Sequence, residues 1–77
     1  MKVKVLFFGV LSEVAATGIK IYENVNSIEH LKLRISDDFP EIIHYNYRIS
    51  LNNEITDSDS PLSDGDEVAF LPPFAGG

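Results

Sequence analysis

Residues 2–9 read KVKVLFFG, and their strict alternation decides the fold of this chain. Val3, Val5 and Phe7 fall on one face of a predicted strand, whereas two lysines place the start of the opposite face in solvent. The stretch EVAFL at residues 67–71 repeats the V-x-F pattern of the buried side. Because both strands are apolar, we predict that the last strand lies beside the first in the interior of one sheet.

A second strand is predicted at residues 19–23, IKIYE, where Ile19 and Ile21 are expected to point inward. The connection before it, VLSEVAATG, has room for one helical turn, with Ser12 as a candidate N-cap and Gly18 as the residue that ends the turn. Two strands joined in this way predict a hairpin with an elaborated loop.

A helix is predicted where the period of the apolar residues changes, in NSIEHLKLRISDDF at residues 26–39. Its N-cap is Ser27 or, alternatively, Asn26, and Pro40 prevents the helix from continuing far past its last apolar residue. Leu33 falls off the apolar stripe. The positions of the stripe are Ile28, Leu31, Ile35 and Phe39.

The second half of the chain returns to alternation. Residues 47–53, YRISLNN, predict a strand, and a turn leads from it to a brief strand around Ile55. The acidic segment 57–67 has the composition of turns and loops, and in the last strand Val68 and Phe70 are expected to point inward. One narrow helical stripe can cover one face of one sheet, so the sequence predicts a two-layer α+β domain.

Length, composition and charge restrict the class of protein. Seventy-seven residues form one domain, and an apolar fraction of 44% predicts that it is folded. The sequence has no long apolar run, no secretory leader pattern and no cysteine, so we expect a cytoplasmic protein without a membrane partner. The net charge of −6 argues against nucleic-acid binding and favours basic partners, although it also serves solubility.

The side chains offer little catalytic chemistry. His30 and His44 have no partners at the spacing of a metal site or a catalytic base, and surface positions account for them better. The acidic segment 57–67 lacks the ligand spacing of a calcium loop, and no serine has a positioned base. We therefore expect no metal, no bound cofactor and no catalysis by the protein alone.

The C-terminal tail offers a different kind of chemistry. Pro72 and Pro73 cannot continue a strand ladder, and from Pro72 the chain can reach roughly 20 Å at about 3.3–3.6 Å per residue. Gly76 and Gly77 are thin enough to enter a narrow channel, where the only functional group delivered is a carboxylate that needs activation. From two glycines alone, a frayed terminus is the favoured interpretation.

A candidate interaction surface lies next to the tail. Leu6, Phe8 and Leu71 are predicted on the outward faces of neighbouring strands, and Ile55 is a further candidate for the same surface. The single helix cannot cover both faces of the sheet. These side chains therefore predict an exposed apolar patch, a feature that usually marks an interaction site, although isolated exposed apolar residues are common.

Two phrases of the sequence identify a resemblance. KVLFFG near the start and LSDGDEVAFLPPFAGG at residues 62–77, with the strand and helix order between them, resemble the small subunits of molybdopterin synthase. These are sulfur carriers of the ubiquitin-like β-grasp family. The resemblance implies a mixed sheet of four to five strands with one main helix on one face. It also implies a β-grasp domain over residues 1–71 and an extended tail over residues 72–77.

The resemblance also implies a mechanism. An E1-like adenylyltransferase would use ATP to adenylate Gly77, and a persulfide donor would supply the sulfur of a thiocarboxylate. The tail would then enter the active site of a large subunit and donate sulfur to cyclic pyranopterin monophosphate. The expected assembly is a heterotetramer of two large and two small subunits. The implied tail residues are Pro72, Pro73, Phe74, Ala75 and Gly76, with Phe74 larger than its family counterpart, and the implied partner contacts are Phe8, Ile55, Leu71 and Leu6.

Other interpretations remain open at this point. A carrier with the same fold could serve thiamine synthesis or tRNA thiolation, although the FLPP phrase favours molybdopterin synthase. A protein modifier would use the same activated Gly77 to form isopeptide bonds. A binding module would use the apolar patch and leave the tail inert.

Overall fold

The predicted strands form one five-stranded sheet in the computed structural model, which describes residues 1–73. The strands are β1 (Lys2–Phe7), β2 (Ile19–Glu23), β3 (Arg48–Leu51), β4 (Glu54–Thr56) and β5 (Glu67–Leu71). The helical elements are α1 (Val10–Ala15), α2 (Ile28–Asp38) and a 3-10 helix (Pro40–His44). None of the helices in residues 1–73 has the length and apolar character that a membrane span requires.

The strand order is β2-β1-β5-β3-β4, which places β1 and β5 side by side in the interior. These two strands run parallel, with Val5 opposite Val68 and Phe7 opposite Phe70. All other neighbouring pairs are antiparallel. The pairing of the first strand with the last, the hairpin of the first two strands and the brief strand at Ile55 are therefore confirmed.

The core lies between the sheet and α2. The three buried positions of α2, Ile28, Leu31 and Ile35, belong to the same cluster as the inward residues of β1 and β5. Leu33 is 67% exposed, as its position off the stripe predicts. The buried residues from the sheet are Val3, Val5, Phe7, Tyr22, Ile49, Val68 and Phe70. Because the helices cover only one face of the sheet, the two-layer prediction is confirmed.

The prediction for β2 is wrong in its phase. Ile19 and Ile21 point away from the core and are 57% and 51% exposed, whereas Tyr22 is buried opposite Val3. The inner face at this edge suits side chains with an apolar body and a polar end. The Tyr22 hydroxyl reaches the core rim and donates a 2.6 Å hydrogen bond to Asp38, and the ammonium of Lys20 lies 5.4 Å from the centre of the Tyr22 ring.

The helix ends differ partly from expectation. Ser27 caps α2, since its hydroxyl accepts a 3.2 Å hydrogen bond from the His30 N–H. In α1, by contrast, Gly9 is the N-cap, and Ser12 lies inside the helix and donates its hydroxyl to the Gly9 carbonyl at 2.7 Å. Ala16 ends α1 in the left-handed conformation, so Gly18 has no such role.

Candidate functional site: the outer sheet face and the base of the tail

The base of the C-terminal tail is anchored by an aromatic cluster. Phe70 is fully buried in β5, and its ring centre lies 5.6 Å from that of Phe7 and 4.8 Å from that of Tyr47. Phe39 packs edge-on against Phe7 at 5.9 Å. Because β5 has a neighbour on each side, the last residues before the tail are held by both the sheet ladder and the core.

The chain leaves the sheet beside Gly9. β5 ends at Leu71, and the Phe8 N–H donates a 3.2 Å hydrogen bond to the carbonyl of Phe70. Pro72, partly buried, packs so closely against Gly9 that an added Cβ there would lie 2.9 Å from Cγ of Pro72. Pro73 is exposed. The tail therefore starts from a defined contact at Pro72.

The outer face of the sheet carries a continuous cross-strand row. Ala69 stands at its centre, and Leu6 lies opposite Ala69 on one side and Ile19 on the other. Ser50 lies opposite Ala69 and also opposite Ile55, which completes the row across all five strands. We call the apolar residues Leu6, Phe8, Ile19, Ile55 and Leu71 the outer patch.

Along β1 and β5, the outer face changes from polar to apolar in the direction of β5. At its polar end, Lys4 lies opposite Glu67, and their charged groups are 3.7 Å apart. Leu6 follows in the middle row and is partly buried, and Phe8 lies just beyond β1 and is 44% exposed. Leu71 lies at the end where the tail departs. The apolar end of the outer face and the start of the tail are thus adjacent.

Charges frame the side of the patch formed by β3. Arg48 lies opposite Leu71 and pairs with Asp57 at 3.2 Å. Both charged groups are exposed, so the pair is expected to contribute little to stability. On the inner side of the same strand end, burial raises the pKa of the Tyr47 hydroxyl above its usual value, with Lys32 opposing the shift. Tyr47 is therefore neutral at physiological pH.

Carboxylates of the acidic segment 57–67 accept hydrogen bonds from backbone N–H groups. The Asp59 carboxylate accepts a 2.9 Å hydrogen bond from the N–H of Glu29 in the first turn of α2. The Asp64 carboxylate accepts one from the N–H of Lys2 at 2.6 Å and so ties the segment to β1. Among residues 1–73, no three acidic or histidine side chains are grouped in a way that could hold a metal ion.

The predicted site residues fall into two groups. The structure brings Leu6, Ile55 and Leu71 to the outer face and leaves Phe8 exposed at the end of β1, while Pro72 and Pro73 follow β5. Their roles in binding remain predictions. Phe74, Ala75, Gly76 and Gly77 lie outside the described residues.

Sequence reasoning missed two residues of this region, Gly9 and Ile19. Gly9 could have been suspected from its position in the short connection between β1 and α1, where glycine permits backbone angles that other residues avoid. The alternation of β2 predicts Ile19 on the inner face, but the structure pairs it with Leu6 on the outer face and leaves it 57% exposed.

Comparison with known proteins identifies first the fold class and then the family. The sheet order with one main helix is that of ubiquitin-like β-grasp proteins, and the small archaeal modifier SAMP1 from Haloferax volcanii superposes with a TM-score of 0.84 at 18% identity, over 100% of both chains. The ThiS family model matches residues 5–77. The chain belongs to the ThiS family.

The relatives confirm the resemblance seen in the sequence. The molybdopterin synthase sulfur carrier subunit of Escherichia coli (strain K12) is 32% identical over 97% of this chain and 99% of its own length. A chain of the protein-protein complex of subunits 1 and 2 of the molybdopterin-converting factor from Helicobacter pylori 26695 superposes with a TM-score of 0.76. That similarity covers 100% of both chains at 29% identity.

Proposed function

We propose that this protein is the sulfur-carrying small subunit of a molybdopterin synthase. The observation that carries the proposal is the end-to-end similarity to a sulfur carrier subunit, 32% identical over 97% of this chain. The structure adds a physical basis, because an apolar outer patch lies next to the point where the tail leaves β5. A partner that covers the patch would therefore receive the tail.

The chemistry would take place at the carboxylate of Gly77. A carboxylate oxygen attacks the α-phosphorus of ATP and releases pyrophosphate, which gives an acyl-adenylate. A persulfide sulfur then attacks the acyl carbon, and AMP leaves. A second thiol cleaves the sulfur–sulfur bond, so a thiocarboxylate remains on Gly77 and the donor is left as a disulfide. The activating enzyme binds the ATP, and the carrier itself holds no cofactor.

The proposed partners follow from this sequence of reactions. An E1-like adenylyltransferase and a persulfide donor load the carrier, which we expect in the cytoplasm. The large subunit supplies the catalytic residues that transfer sulfur to cyclic pyranopterin monophosphate. The product has two new sulfurs, so a heterotetramer with two large and two small subunits is proposed. Phe8, Leu6, Ile55 and Leu71 would contact the large subunit, and residues 72–76 would pass into its active site.

Intact-mass measurement tests the loading step. After incubation with the activating enzyme, ATP and a persulfide donor, the mass should show one oxygen of the protein replaced by sulfur. Deletion of Gly77 should abolish loading without changing the thermal unfolding temperature. An unchanged mass of the intact chain, under conditions that load a known carrier, would refute the proposal.

A second assay tests the use of the loaded sulfur. Loaded carrier, large subunit and cyclic pyranopterin monophosphate should together produce molybdopterin, and unloaded carrier should not. Production of thiolated tRNA or thiazole in place of molybdopterin would assign the carrier to another pathway. Isopeptide conjugates on lysines in cells would favour a protein modifier.

A further inference from the structure

Gly9 has two properties that are combined nowhere else among the glycines of residues 1–73. Its backbone angles, φ 57° and ψ −136°, lie in the mirror image of the extended region, which only glycine adopts readily. Its α-carbon also faces the ring of Pro72, because an added Cβ would approach Pro72 Cγ to 2.9 Å and Cβ and Cδ to 3.8 Å. The second residue after β1 therefore fits against the first residue after β5.

Neither of the other two described glycines combines a positive φ with a close neighbour. Gly65 also has a positive φ of 86°, but nothing lies within 4 Å of an added Cβ. Gly18 has neither a positive φ nor a neighbour within that distance. The contact with Pro72 is thus specific to Gly9 and does not follow from the turn geometry alone.

The contact lies at the point where the chain leaves the sheet. Phe70 is held by the core, and its carbonyl accepts the N–H of Phe8, so the backbone on both sides of the contact is anchored. Pro72 has a fixed φ and cannot extend the ladder, so the position of its ring determines the direction of the chain that follows. A side chain at Gly9 would force Pro72 and Gly9 apart and so change this contact.

We propose that the contact between Gly9 and Pro72 sets the direction in which the tail leaves the sheet, and that Gly9 is a positioning residue for sulfur transfer. The second part rests on the proposed function. A tail that must place one atom in a partner's active site is sensitive to its exit direction, because a displacement of about 1 Å can slow a reaction on the order of 100-fold.

The direct test uses NMR on the isolated protein and needs no assumption about function. The wild type should show a nuclear Overhauser effect between the Gly9 Hα and Pro72 Hγ protons. The Cα–Hα residual dipolar coupling of Pro73 should shrink toward zero in Pro72→Ala, because the chain loses its fixed direction. A missing Overhauser effect, or an unchanged coupling in the variant, would overturn the proposal.

The functional test compares Pro72→Ala with Pro61→Ala, which changes the same residue type at an exposed position outside the tail and the outer patch. Each thiocarboxylate is prepared from a C-terminal thioester with hydrosulfide, so the activating enzyme is bypassed. We expect Pro72→Ala to slow single-turnover sulfur transfer by about tenfold, while its Kd for the large subunit stays within about twofold of wild type. Pro61→Ala should match wild type in both.

A double-mutant cycle tests the contact from the other side. Gly9→Ala should slow transfer at least as much as Pro72→Ala, and the double variant should be no slower than Gly9→Ala, since both changes disrupt one contact. Gly65→Ala controls for the strain of a positive φ and should leave the transfer rate unchanged. If Gly9→Ala does not fold, the comparison of the two prolines still decides the question.

The outcomes distinguish this inference from the proposed function. If loaded wild type transfers no sulfur to the precursor, the proposed function fails, and the NMR test decides whether the contact directs the tail. If wild type transfers sulfur and Pro72→Ala transfers it equally fast, the positioning role is wrong while the proposed function stands. Additive losses in the cycle would also contradict the shared contact.

Discussion

Alanine replacement of Ile19 and of Ile55 tests how far the proposed docking surface extends. The two residues stand at opposite ends of the outer row, on the edge strands β2 and β4. Four strand spacings separate them, which is about 19 Å at about 4.8 Å each. A standard interface covers about 800 Å² per partner, or about 28 Å across. A large subunit centred on Ala69 would therefore cover both ends.

The expected magnitude follows from the area that each side chain still exposes. Full burial of an isoleucine contributes about 1.5–3 kcal/mol, and Ile19 and Ile55 have 57% and 51% of their surface left to bury. Each replacement should thus cost about 1 kcal/mol of binding, which raises the Kd about fivefold. Because the sites are far apart and share no contacts, the double variant should lose about 25-fold.

Isothermal titration with the large subunit measures these changes, and Leu33→Ala provides the control. Leu33 is more exposed than either isoleucine but lies on α2, on the other side of the sheet. Its replacement should change the Kd by less than about twofold, as is usual for surface substitutions. Thermal unfolding of each variant checks that the fold is kept. Equal affinities for wild type and the double variant, or a loss only in Leu33→Ala, would refute docking on the outer face.

Two further predictions concern stability. Burial and the hydrogen bond to Asp38 raise the pKa of the Tyr22 hydroxyl above its usual value, so the hydroxyl ionises less readily in the folded state than in the unfolded state. The stability that Tyr22 contributes is therefore complete below about pH 10 and is lost at higher pH. Tyr22→Phe should therefore lower the unfolding free energy by about 1 kcal/mol at neutral pH. Between about pH 10 and pH 12, the melting temperature of the variant should fall less steeply than that of wild type. Parallel curves of melting temperature against pH for the two proteins would contradict this. Asp59→Ala should cost about 1 kcal/mol through the lost cap at Glu29, and Asp57→Ala, which breaks only an exposed ion pair, should cost less in the same denaturant titration.

The elements that sequence reasoning predicted correctly have one apolar face against the core. β1, β5 and α2 each present a periodic set of side chains that only one orientation can bury, so Val5, Phe70 and Leu31 could be placed without a structure. The tail phrase and the family resemblance added the candidate site. Periodicity alone did not reveal a function.

The errors arose where tertiary contacts override the local pattern. β2 offers two alternating faces, and the edge of the sheet selects the one whose Tyr22 can reach Asp38 on α2. The contact of Gly9 with Pro72 joins residues from opposite ends of the chain, and no local pattern encodes it. The 3-10 helix after Pro40 carries no diagnostic motif, although Ile42 in it is buried in the core.

Binding of the large subunit and direction of the tail depend on different residues of this site. From Ala69 in the middle of the outer row to Pro72 is three residues, about 10 Å of strand, so a partner centred on the row reaches the start of the tail. Residues of the outer row contribute contact area, whereas Gly9 and Pro72 determine direction. Changes in the row should therefore act on the Kd and spare the transfer rate of the complex. Changes at Gly9 or Pro72 should slow transfer and leave the Kd unchanged. If Ile55→Ala slowed transfer at a saturating concentration of large subunit, docking and tail direction would instead be coupled through the sheet.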